Sequence, residues 1–259
     1  VLRTMDSLLP DAARSAFNGL GNVVSSTAVP RVFAGLAAVP GPEVDAPAPA
    51  AAQEAVEVIR ESTVRLTGTA PACDAIVSGS GFAVAPELVV TNAHVVAGVE
   101  DLLVRVRPDQ TSSRATIVYF DPNTDVAIVR TRGLQARPAR LAVTSLEPND
   151  PAVIAGFPRG ERFTAEPARV RARVDARGES IYGDTGVQRD VYVLRGSVQQ
   201  GNSGGPLTDE SGEVHGMVFA SGLEEQDAVY ALSADEIRGA LDAAGAADRA
   251  VSNGSCELR

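Results

Sequence analysis

The sequence is poor in the residue types on which several functions depend. It has no lysine, and its 23 arginines are outnumbered by 33 acidic residues, which leaves a net charge of −10. Because no basic stripe interrupts this acidic balance, we expect no nucleic-acid partner. No apolar run reaches the roughly eighteen residues that span a bilayer. We therefore expect contact with a membrane only through a segment missing from this chain.

Histidine and cysteine are also scarce, with two residues of each. They lie too far apart in sequence to suggest a zinc site, and no phosphate-binding P-loop is present, so we predict no metal and no other cofactor. Cys73 and Cys256 could be two buried thiols of a cytosolic protein. A disulfide between them would close a very long loop, for which the chain-entropy model gives roughly 5 kcal/mol of stabilisation. We favour the disulfide and an oxidising compartment.

The organisation of the chain changes near residue 52. Residues 37–52 are rich in proline and alanine without hydrophobic periodicity, which predicts an extended linker at the end of an N-terminal juxtamembrane segment, residues 1–52. The chain begins with Val1 and shows no signal peptide. We therefore expect a fragment of a longer protein whose targeting segment has been cut away.

Residues 53–259 have the pattern of an all-β domain. Short apolar runs recur between turn residues without intervening helices, which predicts two six-stranded β-barrels at about residues 62–133 and 141–232. A C-terminal helix should follow, capped by Ser233 and stopped by Gly245.

The run "QQGNSGGPL" (199–207) crowds glycines around Ser203. It could be a glycine-rich turn, the G-x-S-x-G elbow of an α/β-hydrolase, or the nucleophile loop of a chymotrypsin-type protease. The elbow requires an acid and then a histidine after the serine, but only His215 follows, within an all-β pattern. His94 and Asp125 instead precede Ser203, in the order that a chymotrypsin-type triad uses.

Three segments carry a family resemblance: "TNAHVV", "TDVAIVR" and "GNSGGPL". In this order they resemble signature segments of chymotrypsin-fold serine proteases of the bacterial HtrA-like type, over about residues 56–245. With its linker and cysteine pair, the chain resembles more narrowly an actinobacterial, membrane-anchored periplasmic branch of that family. The resemblance implies a chymotrypsin-like fold with the active site between the barrels. It also implies a monomeric serine endopeptidase domain that acts on proteins or peptides in acid and oxidative stress.

The resemblance assigns roles to individual residues. Ser203 would be the nucleophile, His94 the general base, and Asp125 the acid that orients the imidazole, with Asp121 as the rival acid. The backbone N–H groups of Gly201 and Ser203 would form the oxyanion hole.

The substrate pocket would hold five residues, which are Ser197 at its base, Val198, Phe219, Ala220 and Ser221. Because Ser197 is uncharged, the pocket lacks the partner that arginine or lysine substrates require. We expect cleavage after uncharged, apolar side chains.

Three further expectations concern activation, His215 and competing functions. Asn202 stands where digestive members of the family carry an aspartate that pairs with a new N-terminus, and asparagine cannot form that ion pair. We expect self-cleavage of the exposed linker between about Ala28 and Ala52. His215 should be a strand residue without a catalytic role. The competing functions are a protease fold that binds peptides without cutting them, and a stress chaperone, which usually needs an oligomer or PDZ modules.

Overall fold

The structure of the chain is a computed structural model that describes residues 42–221 and 227–256. Most of the predicted N-terminal segment, residues 1–41, including the first part of the predicted linker, lies outside the described residues. Within the described part, no helix is long and apolar enough to cross a membrane.

The described chain folds into two antiparallel, closed six-stranded barrels, which confirms the predicted fold class. Barrel 1 contains β1 (Thr63–Ala70), β2 (Ala75–Ala85), β3 (Leu88–Thr91), β4 (Asp101–Arg105), β5 (Ser113–Asp121) and β6 (Val126–Arg130). Barrel 2 contains β7 (Pro151–Gly156), β8 (Thr164–Glu179), β9 (Thr185–Arg195), β10 (Pro206–Thr208), β11 (Val214–Ser221) and β12 (Ala228–Ser233). The helices are α1 (Pro49–Ser62), α2 (Ala93–Val96) and α3 (Ala234–Ala244). Two 3₁₀ turns lie at Pro71–Cys73 and Pro158–Gly160.

Each barrel closes by pairing its outer strands, so neither leaves an open sheet edge. In barrel 1, β1 pairs with β4, with Leu66 opposite Val104. In barrel 2, β10 pairs with β7, with Leu207 opposite Ile154. These four side chains are buried, as the alternation of inward and outward residues along a strand requires.

Helix α3 follows the prediction made for the C-terminal helix. The Ser233 hydroxyl accepts a hydrogen bond from the backbone N–H of Glu236, and Gly245 ends the helix with a positive φ. Ile237 is fully buried in a core cluster that contains residues of both barrels. The helix therefore covers the junction between the barrels.

Helix α1 begins within the segment that the sequence indicated as an extended linker. It starts at Pro49, inside the predicted linker, because proline suits the first helical position and the following alanines favour a helix. Its buried residues Ala55 and Ile59 pack on Val153 and Ala155 of barrel 2. The last part of the predicted linker is therefore part of the folded domain.

The chain just before α1 is also bound to barrel 2. Residues 42–48 have no regular secondary structure, but the Arg195 guanidinium donates to the Val44 carbonyl at 2.7 Å. The backbone N–H of Asp45 donates to the side-chain oxygen of Asn149 at 3.1 Å. These contacts fix a segment that carries no hydrophobic pattern in the sequence.

Cys73 and Cys256 form the predicted disulfide, with 6.0 Å between their Cα atoms and a sequence separation of 183. The bridge attaches the C-terminal tail to barrel 1. Nearby, the Asn253 amide donates to the carbonyls of Val96 and Val99 at 2.7 and 2.9 Å. The tail therefore supports the end of α2, the helix that carries His94.

Reducing this disulfide should lower both stability and activity. Loss of the long cross-link is expected to cost at most about 5 kcal/mol, and release of Asn253 should loosen the end of α2. Melting temperature and peptide hydrolysis, measured with and without dithiothreitol, test this. The double variant Cys73→Ser/Cys256→Ser is the control, because its melting temperature should be low and should not change when the reductant is added. Equal melting of oxidised and reduced wild-type protein would contradict the expectation.

Candidate active site

The pairing of β3 with β6 brings His94 beside Asp125. Thr91, at the end of β3, lies opposite Ala127, near the start of β6. His94 follows β3 by three residues on the short helix α2, and Asp125 immediately precedes β6. Adjacent ends of one antiparallel pair thus carry both side chains.

Asp125 binds His94 through both of its carboxylate oxygens. Oδ2 lies 2.7 Å from the ring Nδ1 of His94, and Oδ1 accepts from the His94 backbone N–H at 2.9 Å. The Asp125 carbonyl also accepts from the Asn92 amide at 3.0 Å. Asp125 is fully buried and has a φ of +61°, a left-handed conformation that aspartate tolerates. Because a carboxylate only accepts, Nδ1 carries a proton, and Nε2 is left with a lone pair when the ring is neutral.

Asp121 has a different set of partners. Its Oδ1 accepts from the backbone N–H of Asn123 at 2.9 Å, and its Oδ2 accepts from the Thr124 hydroxyl at 2.8 Å. Both bonds shape the turn between β5 and β6. The structure therefore gives Asp121 a local role in the turn that presents Asp125.

A residue of barrel 1, Ser80, holds the loop around Ser203 against that barrel. The Ser80 backbone N–H donates to the Ser203 carbonyl at 2.8 Å. The Ser80 hydroxyl donates to the Gly201 carbonyl at 2.6 Å and accepts from the Phe157 N–H at 2.8 Å. The Ser80 carbonyl accepts from the hydroxyl of Thr91, at the end of β3. The loop thus lies against the strand end that leads to His94.

The glycines after Ser203 are required by close backbone contacts. A Cβ on Gly204 would lie 2.0 Å from the Ser80 carbonyl oxygen, and one on Gly205 would lie 2.0 Å from that of Ala155. Gly204 therefore makes room for the neighbouring barrel, and Gly205 makes room for a strand of its own barrel.

The backbone before Ser203 exposes two N–H groups. Gly201 has a φ of +98°, which glycine adopts without steric cost. The Gln200 carbonyl accepts from the Arg159 N–H at 2.6 Å. Because a trans peptide directs its C=O and N–H oppositely, the Gly201 N–H points away from Arg159. Within residues 42–221 and 227–256, neither this N–H nor that of Ser203 has an intramolecular acceptor.

Comparison with known proteins shows the family of the chain. A family model described as a trypsin-like peptidase domain matches residues 79–217, more than half of the chain. The chain belongs to the trypsin-like peptidase family. It is thus a member of a serine protease family, with the chymotrypsin-like fold.

This trypsin-like peptidase is similar to named serine proteases. It is 35% identical to serine protease Rv3671c of Mycobacterium tuberculosis, also called MarP, over 258 residues. The match covers 99% of this chain and 64% of the relative. A probable periplasmic DegP-like serine endoprotease of Pseudomonas savastanoi is 33% identical over 144 residues, 54% of this chain and 28% of that relative.

Solved structures show the same likeness. The active form of the Rv3671c protease overlaps with a TM-score of 0.82 at 38% identity, covering 86% of this chain and 97% of that chain. An inactive form overlaps with a TM-score of 0.70 at 37% identity, covering 79% of this chain and all of that chain.

The predicted pocket residues of this peptidase differ in exposure. Ser197 is exposed and Val198 is half-buried. The Phe219 ring is only 1% exposed and belongs to the core cluster shared by the two barrels. Ala220 and Ser221 pair with β12 through their backbone, and their side chains lie outside the described part of the structure. The pocket wall made by Phe219, Ala220 and Ser221 stays a prediction.

Sequence reasoning missed Arg189, a buried cation near the His94–Asp125 pair. Its side chain is 3% exposed and donates to the Glu179 carbonyl at 2.7 Å. Burial lowers the pKa of Arg189, while the negative charges of Asp125, Glu236 and Asp121 act in the opposite direction. Nothing in the run "GVQRDVYV" marks this arginine as different from the exposed ones.

Replacement of Ser80 should disturb the loop around Ser203. Ser80→Ala leaves the Gly201 carbonyl and the Phe157 N–H buried without a partner, which costs about 1–3 kcal/mol, and should lower the kcat of peptide hydrolysis. Ser78→Ala on the same strand is the matched control, because the Ser78 hydroxyl has no partner within the described residues. Urea unfolding and peptide hydrolysis measure both effects. Equal losses in the two variants would refute a special role for Ser80.

Proposed function

We propose that the chain is a serine endopeptidase that cleaves proteins outside the cytoplasm through an acyl-enzyme. The observation that carries the proposal is the His94–Asp125 pair, held by two hydrogen bonds to one buried carboxylate. It lies on the barrel that also binds the backbone of Ser203. The periplasmic location in the name of the DegP-like relative supports an extracytoplasmic protease.

In the proposed mechanism each residue has one task. The Ser203 hydroxyl attacks the substrate carbonyl while the Nε2 atom of His94 accepts its proton and later gives it to the leaving amine. Asp125 keeps the Nδ1–H tautomer and stabilises the ring once it is charged. The N–H groups of Gly201 and Ser203 bind the oxyanion, and such donors lower the barrier by about 3–4 kcal/mol each.

Replacement of the three proposed catalytic residues should abolish hydrolysis. Ser203→Ala, His94→Ala and Asp125→Asn should each reduce kcat by about 10⁴-fold or more, and the triple variant should be scarcely worse, because triad members act as a unit. Asp121→Asn is the matched control and should stay active, since Asp121 shapes only the turn. Full activity in Asp125→Asn with loss in Asp121→Asn would reverse the assignment.

A fluorophosphonate probe separates an enzyme from a protease fold that only binds peptides. An activated serine reacts covalently with the probe, whereas an inert hydroxyl does not. We expect labelling of the wild-type chain and none of Ser203→Ala. An unlabelled wild-type chain would favour the binding function.

For specificity, we propose cleavage after uncharged, apolar side chains. The proposal rests on Ser197, whose uncharged side chain offers no partner to arginine or lysine. Substrate strands would pair with β11 by β-augmentation. A peptide library should therefore show poor cleavage after basic residues, and a strong preference for arginine would refute the proposed pocket.

We also propose that the protease is released from a membrane anchor by self-cleavage, and that it serves in acid and oxidative stress. The similarity to Rv3671c over nearly the whole chain supports this role. The chain spans 64% of the length of that relative, so any anchor would lie in the remainder of a longer protein. Growth of a Ser203→Ala strain at low pH should be impaired, and wild-type growth would argue against the role.

The bound segment before α1 narrows the position of self-cleavage. A protease needs its substrate extended and accessible, whereas Val44 and Asp45 are hydrogen-bonded to barrel 2 and residues Pro49–Ser62 are helical. We therefore propose that, within the range from about Ala28 to Ala52 expected from the sequence, the cut falls between about Ala28 and Glu43, which lies mostly outside the described residues. Mass spectrometry of incubated protein should show a new N-terminus there in the wild type and none in Ser203→Ala. A cut after Val44, or equal processing of both proteins, would contradict this.

A further inference from the structure

A cluster of three potential metal ligands lies on the hairpin between β10 and β11, outside the candidate active site. Asp209, Glu213 and His215 each offer one ligand atom, and these atoms lie within 4.8 Å of one another. Counting histidines and cysteines in the sequence overlooked this cluster, because two of its members are carboxylates. As expected, His215 lies on a strand of barrel 2.

The ring of His215 is oriented by a partner outside the cluster. His215 is 4% exposed, and its Nδ1 lies 3.1 Å from the carbonyl oxygen of Thr144. Since a carbonyl only accepts hydrogen bonds, Nδ1 carries the proton, and in a neutral ring the Nε2 lone pair points into the cluster. Metal-bound histidines are commonly held in this way, with the second ring nitrogen donating to a backbone carbonyl.

The separation between Nε2 of His215 and Oδ2 of Asp209 is 3.4 Å. A charge-assisted hydrogen bond between these groups would be shorter, at about 2.7–2.9 Å. Two ligands that bind a tetrahedral zinc ion at about 2.0–2.1 Å lie roughly 3.4 Å apart. The observed distance is long for a direct hydrogen bond and equals the separation of two atoms that bind a common ion.

The other oxygen of Asp209 is already engaged. Oδ1 accepts from the backbone N–H groups of Ser211 and Glu213 and from the Ser211 hydroxyl, at 2.7–3.0 Å. These bonds orient the carboxylate and leave Oδ2 for a ligand, as second-shell donors do at metal sites.

We propose that Asp209, Glu213 and His215 bind a divalent transition-metal ion, with zinc as the test ion. Two carboxylates and one neutral imidazole balance the charge of the ion, and a water molecule would complete the tetrahedron. The site would link two parts of the chain. One is the hairpin of β10 and β11, which begins three residues after Ser203, and the other is Thr144, in the connection between the barrels. It is independent of the proposed peptidase activity.

Zinc binding is tested on the full chain carrying Ser203→Ala, which prevents self-cleavage. After treatment with a chelator, isothermal titration with zinc chloride should show one site per chain. Glu213→Gln and His215→Gln should each weaken binding at least tenfold, since each removes a ligand. Glu210→Gln, an exposed carboxylate on the same hairpin, and His94→Ala, which removes the other histidine, should both bind as the parent does.

Three results would overturn the proposal. They are absence of zinc binding by the parent, equal binding by His215→Gln, or loss of binding in the Glu210→Gln or His94→Ala control. If circular dichroism shows that a variant is unfolded, zinc binding is tested instead through the imidazole ¹⁵N chemical shifts of His215 in the Ser203→Ala parent. A zinc-induced change at Nε2, with Nδ1 still protonated, supports the site. If the His215 ring is protonated on both nitrogens and its ¹⁵N shifts do not change with zinc, His215 forms an ion pair with Asp209 and does not bind the metal.

Discussion

The contact of Ser80 with the loop around Ser203 is the interaction on which the candidate active site depends. One serine of barrel 1 uses its N–H and its hydroxyl to bind three backbone groups of barrel 2. Its carbonyl in turn accepts from the end of β3. These groups belong to buried residues, except for the half-buried Ser203, so each would lose its partner at a cost if the barrels moved apart. The two barrels are therefore held in one relative position where the chemistry needs them.

This constraint explains why the proposed catalytic residues can be divided between two closed barrels. His94 and Asp125 come from adjacent strand ends of barrel 1, whereas Ser203 comes from a loop of barrel 2. A closed barrel is a rigid support, because every strand is paired on both sides. Only the contact between the two barrels then has to be determined by particular residues. Gly204 allows the close backbone approach that this contact requires.

The sequence predicted the barrels, helix α3 and the disulfide, because strand alternation, capping residues and a lone cysteine pair are local or simple signals. The order of His94 and Asp125 before Ser203 also identified them as candidate catalytic residues, and the structure brings these two residues together. Ser80 could not be predicted, since nothing local separates it from Ser78 on the same strand. The bound segment before α1 was missed for a similar reason, because hydrogen bonds from Arg195 to a backbone carbonyl leave no pattern in the bound residues.

The attachment of residues 44–46 to barrel 2 bears on how self-cleavage would change this enzyme. Digestive relatives carry an aspartate that pairs with a new N-terminus, but here Asn202 lacks the charge for such an ion pair. A cut before Val44 removes none of the contacts described for the folded domain. Processing would then leave the catalyst unchanged in shape. Under the proposed self-cleavage, it would alter only the region that the enzyme can reach, from the vicinity of the proposed anchor to the surrounding compartment.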